Sequence, residues 1–185
     1  MAAVPPLCDF GWQAVDASLI GTDGQRHSLL AQAGRQGLVI AFICNHCPYV
    51  KAVIGRIVRD AHDLAALDVG FVAVNANDAA AYPADSYENM QRFSQENAFP
   101  FPYLHDADQA VAHAYGAVCT PDFFGFNARG ELQYRGRLDG SRKQEAIADL
   151  RRDLFEAMRQ IARSGAGPRE QIASVGCSIK WRDSP

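Results

Sequence analysis

The chain of 185 residues is 48% hydrophobic and 21% charged, the balance of an ordinary soluble globule and not of a disordered or collagen-like chain. That length suits one domain able to bury a core without staples, expected over residues 1–185 with a core from about 10 to 164 and a C-terminal tail over 165–185. A net charge of −3 without a basic cluster argues against nucleic acid as a partner, and the longest apolar run, Leu38–Cys44, is too short to cross a membrane.

The N-terminal stretch MAAVPPLCDFGWQAVDAS has neither a basic n-region nor an apolar h-region. No secretory signal is read there, Cys8 is not taken as a lipoprotein site, and the expected address is cytoplasmic. Five cysteines, an odd number, point in a reducing compartment to catalysis or metal binding and away from a disulfide framework.

Ser18 to Leu30 reads as a hairpin, with Thr22-Asp23-Gly24-Gln25 as its turn. LVIAFI, Leu38 to Ile43, is a continuous apolar run suited to a strand buried on both faces. From Pro48 onward Val50, Val53, Ile54, Ile57, Val58, Ala61, Leu64 and Ala65 fall at helical spacing, with proline in the first turn. Gly55 inside that helix costs stability and has no reason visible in the sequence. Val69 to Asn75 is a second buried strand, and a helix from about Ala84 to Asn97 follows, with Asp85 and Glu88 at capping-box spacing. Phe101 to His105 is a third strand, after which Asp106 and Gln109 open a short helix holding Val111, Ala114 and Tyr115.

Past Thr120-Pro121, Asp122 to Phe126 and Glu131 to Arg135 read as strands joined by a four-residue loop. A terminal helix is expected with Ser141 and Gln144 as its capping box, Ile147, Leu150, Leu154, Met158 and Ile161 as its buried stripe and Gly165 as its stop. The tail beyond carries Cys177 and Trp181. This order, βαβ, a further strand and helix, then ββα, describes an α/β fold: a central mixed sheet with helices on both faces and its last two strands antiparallel.

The chemistry gathers in FICNHCPYVK, where Cys44, His46 and Cys47 stand between a buried strand and a helix. Three uses compete: a metal grip, a peroxide-reducing thiol, and a dithiol that exchanges with disulfides. A helix N-terminus offers unpaired N–H groups and partial positive charge, which lower a thiol pKa. Cys44, at the strand end, is therefore expected to be the solvent-reachable attacker and Cys47, a turn further in, the resolver. A protonated His46 would further favour the Cys44 thiolate. One C-x-x-C with no second pair, and no histidine after His113, is a poor zinc or copper set, so no metal is expected. No cofactor is expected either.

Six segments, FICNHCPYVKA, VAVNANDAAAYPADS, FPFPYLHDAD, AYGAVCTPDFFGF, YRGRLD and VGCSIKW, together resemble the thioredoxin-like redoxin family, in its peroxiredoxin-like or thiol-disulfide isomerase-type branch, over about Phe10 to Trp181. The resemblance implies a thioredoxin fold in which Thr120-Pro121 is a cis-proline element facing the redox pair, with Thr120 a neighbour of Cys44. It implies thiol-disulfide exchange with protein or small-molecule disulfides and thiols. Two departures from thioredoxin itself are Ile43 where a tryptophan precedes the first cysteine and Leu38 where a buried acid stands. Aligning Cys47 with the peroxidatic cysteine of P-x-x-x-T-x-x-C puts Cys44 at the threonine and Ile40 at the proline, which ranks an antioxidant thiol peroxidase second. Asn75, Asn77 and Asp78, at a strand's carboxyl end, are candidates for a substrate cleft, against the plainer reading of a polar loop. Cys119 and Cys177 are possible additional thiols, against the plainer reading of small buried hydrophobes. The sequence sets no oligomeric state.

Overall fold

The computed structural model describes residues 2–141 and 150–182. Its strands are Ala2–Ala3 (β1), Ser18–Gly21 (β2), Arg26–Ser28 (β3), Gly37–Phe42 (β4), Val69–Asn75 (β5), Tyr103–His105 (β6), Cys119–Thr120 (β7), Asp122–Asn127 (β8), Leu132–Gly136 (β9) and Gly176–Ser178 (β10). Its α-helices are Pro48–Ala65 (α1), Tyr87–Glu96 (α2), Ala110–Ala114 (α3) and Asp153–Ser164 (α4).

The central sheet consists of two parts, β3-β2-β6-β5 and β4-β8-β9, which meet where the Ile43 N–H bonds the Val74 carbonyl at 3.0 Å. β5 and β6 are parallel, whereas β8 runs antiparallel to both β4 and β9, so the sheet is mixed as expected. β4 is buried along its whole length, because side chains that alternate across a strand are covered on both faces. Val39, Ala41 and Ile43 join the core beneath α1 and α4, while Leu38, Ile40 and Phe42 pack with Val111, Ala112 and Tyr115 on the other side. That double burial projects the carboxyl end of β4, and with it Cys44, from a rigid platform.

Several expectations shift. The helix expected from Ala84 starts at Tyr87, capped by the Ser86 hydroxyl, which accepts from the Asn89 N–H at 3.3 Å. Asp85 ends a preceding 3-10 turn and is buried, so it is no capping residue. Asp106 does cap α3, its carboxylate accepting from the Val111 and Ala112 N–H groups at 3.2 and 2.8 Å. Ser141 is not followed by a described helix turn; its hydroxyl donates to Asp139 at 2.5 Å, and Gln144 and Ile147 lie outside the described residues. Leu154, Met158 and Ile161 are buried as expected, and Gly165 ends α4 in the left-handed region at φ 74°.

The tail does something no local pattern announces. β10 lies between β1 and β7 in a separate three-stranded sheet, with Cys177 directly opposite Thr120. Gly176 permits this approach, since a Cβ there would fall 2.0 Å from the Thr120 carbonyl oxygen.

Candidate active site

Cys44 follows β4, and Cys47 is the N-cap of α1 with Pro48 in its first turn. The Thr120–Pro121 peptide is cis, and Thr120 meets both sulfurs. Its hydroxyl lies 3.3 Å from Cys44 Sγ, and its carbonyl oxygen lies 3.1 Å from Cys47 Sγ. The implied neighbourhood of Thr120 and Cys44 is therefore present.

Two premises behind the expected roles of the cysteines are not met. Cys44 is not solvent-reachable: both cysteines are 0% exposed. The helix N-terminus, moreover, favours Cys47. The neighbouring Cys44 thiol, and then the N–H groups of Val50 and Cys177, pull the Cys47 thiol down against the opposing effect of burial. The Thr120 carbonyl opposes this, since it accepts from the protonated Cys47 thiol. Cys44 is pushed up, by its hydrogen bond to Cys47, by burial and by the negative charge of Asp85. The two thiols are thus pushed in opposite directions, Cys47 towards thiolate and Cys44 towards its protonated form.

Asp85 is the residue that the sequence reading assigned to the wrong task. It is fully buried and accepts from the Asn45 N–H at 2.8 Å, the His46 N–H at 3.3 Å, the Asn77 side-chain amide at 2.7 Å and His46 Nδ1 at 2.6 Å. The imidazole stacks on Tyr82 with ring centroids 5.8 Å apart. His46 therefore turns to Asp85, which also ties down the backbone between the two cysteines. Asn45 is held from its other side by the Tyr103 hydroxyl at 2.9 Å. Ser86-x-x-Asn89, itself at capping spacing, is the sequence signal that frees Asp85 from the cap.

Asn75 and Asn77 do not line an open cleft; both are buried. Asn75 accepts from the Asn77 N–H at 3.0 Å, and Asn77 accepts from the Lys180 N–H at 2.9 Å, so the pair braces the tail against the site. A cleft of about 410 Å³ opens instead beside Asn45, His46, Lys51 and Arg92. Ligand atoms of Cys44, His46 and Asp85 lie within 4.8 Å of one another, the one such grouping among the described residues. The Asp85 oxygens are already engaged by four donors, which a metal would have to displace.

The two additional thiols part company, because adjacent strand residues face opposite ways. Cys119 is fully buried and its thiol points to the Pro121 carbonyl at 3.6 Å; burial pushes it up. Cys177 is half-buried; its backbone N–H helps pull the Cys47 thiol down, while burial and then the Cys47 sulfur push its own thiol up.

A cysteine pair at a helix N-terminus, facing a cis-proline on a mixed sheet with helices on both sides, defines a redox protein of the thioredoxin-like kind. The chain belongs to the AhpC/TSA family, whose model matches residues 10–135. It is 42% identical to an uncharacterized conserved protein from Geobacillus kaustophilus, with a TM-score of 0.94 over 100% of this chain and 98% of that one. It is 34% identical to a hypothetical protein from Sinorhizobium meliloti, with a TM-score of 0.92 over 98% and 99%. The thioredoxin domain of a thiol-disulfide oxidoreductase from Bacteroides vulgatus shares the fold at 14% identity, with a TM-score of 0.58 over 68% and 86%. A search of curated proteins gives no match.

Proposed function

We propose that the protein is a thiol-disulfide oxidoreductase whose working unit is the Cys44/Cys47 pair. The observation that carries this reading is geometric: both sulfurs meet Thr120 of the cis Thr120–Pro121 element, at 3.3 and 3.1 Å, with Cys47 at the N-terminus of α1, where the Cys47 thiol is pulled down and its thiolate favoured. Thiolate is the nucleophile of disulfide exchange. In the reducing direction the dithiol and a partner disulfide become the Cys44–Cys47 disulfide and two partner thiols; two electrons and two protons leave the pair together. Thr120 positions both sulfurs, and the partners are protein or small-molecule disulfides and thiols.

The test is oxidation across a series of glutathione redox buffers, with the disulfide mapped by mass spectrometry. A single two-electron transition yielding Cys44–Cys47 is expected. Absence of that disulfide at every potential removes the reading.

Family membership and the Thr120 hydroxyl beside Cys44 favour one second reading, a thiol peroxidase, in which a hydroperoxide becomes an alcohol and water as the pair closes. Against it, Cys44 and Ile40 stand where the peroxidatic motif has its threonine and proline, and the Arg135 guanidinium is engaged with Asp122 at 3.0 Å and the Gly116 carbonyl at 2.7 Å. Stopped-flow oxidation by hydrogen peroxide separates the two. A rate constant near that of efficient enzymes, about 10⁷ M⁻¹s⁻¹, reverses the ranking.

A further inference from the structure

We infer that Cys177 is a third redox thiol, which takes over the Cys44–Cys47 disulfide as a Cys47–Cys177 disulfide and so connects the buried pair with partners in solution. The inference rests on the reading that Cys44 and Cys47 cycle between dithiol and disulfide.

Register supplies the geometry. Cys177 is the cross-strand partner of Thr120, and residues directly opposite in an antiparallel pair share a face with Cα atoms about 4.5–5.5 Å apart. The Thr120 side chain touches Cys44 and its carbonyl touches Cys47, so the shared face is the one that meets the dithiol. Cys177 joins the same apolar cluster as Cys44 and Cys47. Burial, and then the Cys47 sulfur, which is near enough to act on it, push the Cys177 thiol up.

Exposure supplies the direction. With Cys44 and Cys47 both at 0%, Cys177 is the one thiol of the three that solvent touches. Nor is the tail a loose end resting there by chance. The Ile179 N–H bonds the Val118 carbonyl at 3.0 Å, and the Lys180 carbonyl accepts from the Asp78 N–H at 2.8 Å and the Gln109 amide at 2.9 Å. These contacts and that of Asn77 fix the segment after Cys177, and before it the Ser174 hydroxyl donates to the Gly136 carbonyl at 2.8 Å.

The step balances without a co-reactant. The Cys177 sulfur attacks Sγ of Cys47 in the Cys44–Cys47 disulfide; the bond between Sγ of Cys47 and Sγ of Cys44 breaks, a Cys47–Cys177 bond forms, and the proton of Cys177 ends on Cys44. No electrons leave the protein. A partner thiolate then attacks the half-exposed Cys177 sulfur, forming a mixed disulfide and returning Cys47 as thiolate, the form its donors favour.

The decisive experiment uses the full chain with Cys44→Ser, oxidised by glutathione disulfide and mapped without reduction. A Cys47–Cys177 bridge is expected as the main product. Recovery of Cys47 glutathionylated beside a free Cys177 overturns the inference. In parallel, oxidised Cys177→Ser and Cys177→Ala proteins should still hold Cys44–Cys47 but be reduced by glutathione about tenfold or more slowly than the parent, since the accessible sulfur is gone; equal rates also overturn it. If the parent protein itself never forms Cys44–Cys47, the underlying reading fails instead, and the mapped product of Cys44→Ser tells the two failures apart.

Discussion

Asp85 and Asp122 are both withdrawn from solvent, one beneath the loop that carries the cysteines and the other at the start of β8, directly after the cis-proline. Their partners differ. Asp85 is met by four donors, two of them backbone N–H groups of the loop itself. Asp122 is met by the Arg135 guanidinium at 3.0 Å, while its other oxygen has no hydrogen-bond partner. Burial pushes Asp122 up to about 6, with Arg135 offsetting only part of that effect. The contrast shows two ways of keeping a buried carboxylate. A ring of dipoles fixes the shape of whatever supplies the dipoles, whereas a carboxylate that leans mainly on one countercharge keeps a net desolvation penalty.

Breaking the comparison on its stronger side gives the largest effect. Asp85→Ala leaves the Asn45 and His46 N–H groups, the imidazole and the Asn77 amide facing a void, and a loss of about 3–5 kcal/mol is expected in urea unfolding. Asp85→Asn keeps the shape but turns a donor towards donors, for a loss of about 1–3 kcal/mol. That variant should also raise the rate at which Cys44 is alkylated, because the Asp85 charge that disfavours its thiolate is gone. A change below about 1 kcal/mol for Asp85→Ala, the scale of one ordinary hydrogen bond, would mean that the loop holds itself.

On the weaker side the signature is a pH dependence. A carboxyl group raised above its unfolded value binds its proton more tightly in the folded state, so its contribution is fully present below the unfolded value and fades as pH rises through the folded one. For Asp122 the window runs from 3.8 to about 6. Across it the folded protein should lose up to about 3 kcal/mol, read from urea midpoints at successive pH values. Asp122→Asn should flatten that slope while lowering the plateau, since Arg135 loses its countercharge. An unaltered slope assigns the titration to another group.

The same contrast explains what could be read from the sequence. The βαβ order, the burial of β4 and the position of the cysteine pair follow from local periodicity and punctuation, which adjacent residues carry. The cis-proline came through resemblance to a family. Asp85 was mistaken for a cap because its partners, Asn45 and His46, are distant in sequence, and no local period encodes such a contact. The tail strand was missed for the same reason: GCSIKW has little strand length of its own, and its pairing with Thr120 depends on Gly176 admitting a close approach. A strand end suggests an open position for Cys44, but its burial depends on Thr120, which is distant in sequence.

The smallest effect sharpens the comparison by leaving both aspartates alone. Gly55 is exposed within α1, and a Cβ built there meets nothing within 4 Å. Its backbone is helical, so alanine fits without strain and restricts the unfolded chain. Gly55→Ala should therefore stabilise the protein by up to about 1 kcal/mol. The substitution lies about two turns beyond the N-cap, too far to alter the donors that reach Cys47 or the ring around Asp85. The pH slope between 3.8 and about 6 should consequently stay parallel to that of the parent, and the alkylation profile of the pair should not move. A shift in either would mean that α1 transmits strain from its middle to the dithiol, and that the helix, not Asp85 alone, sets the loop.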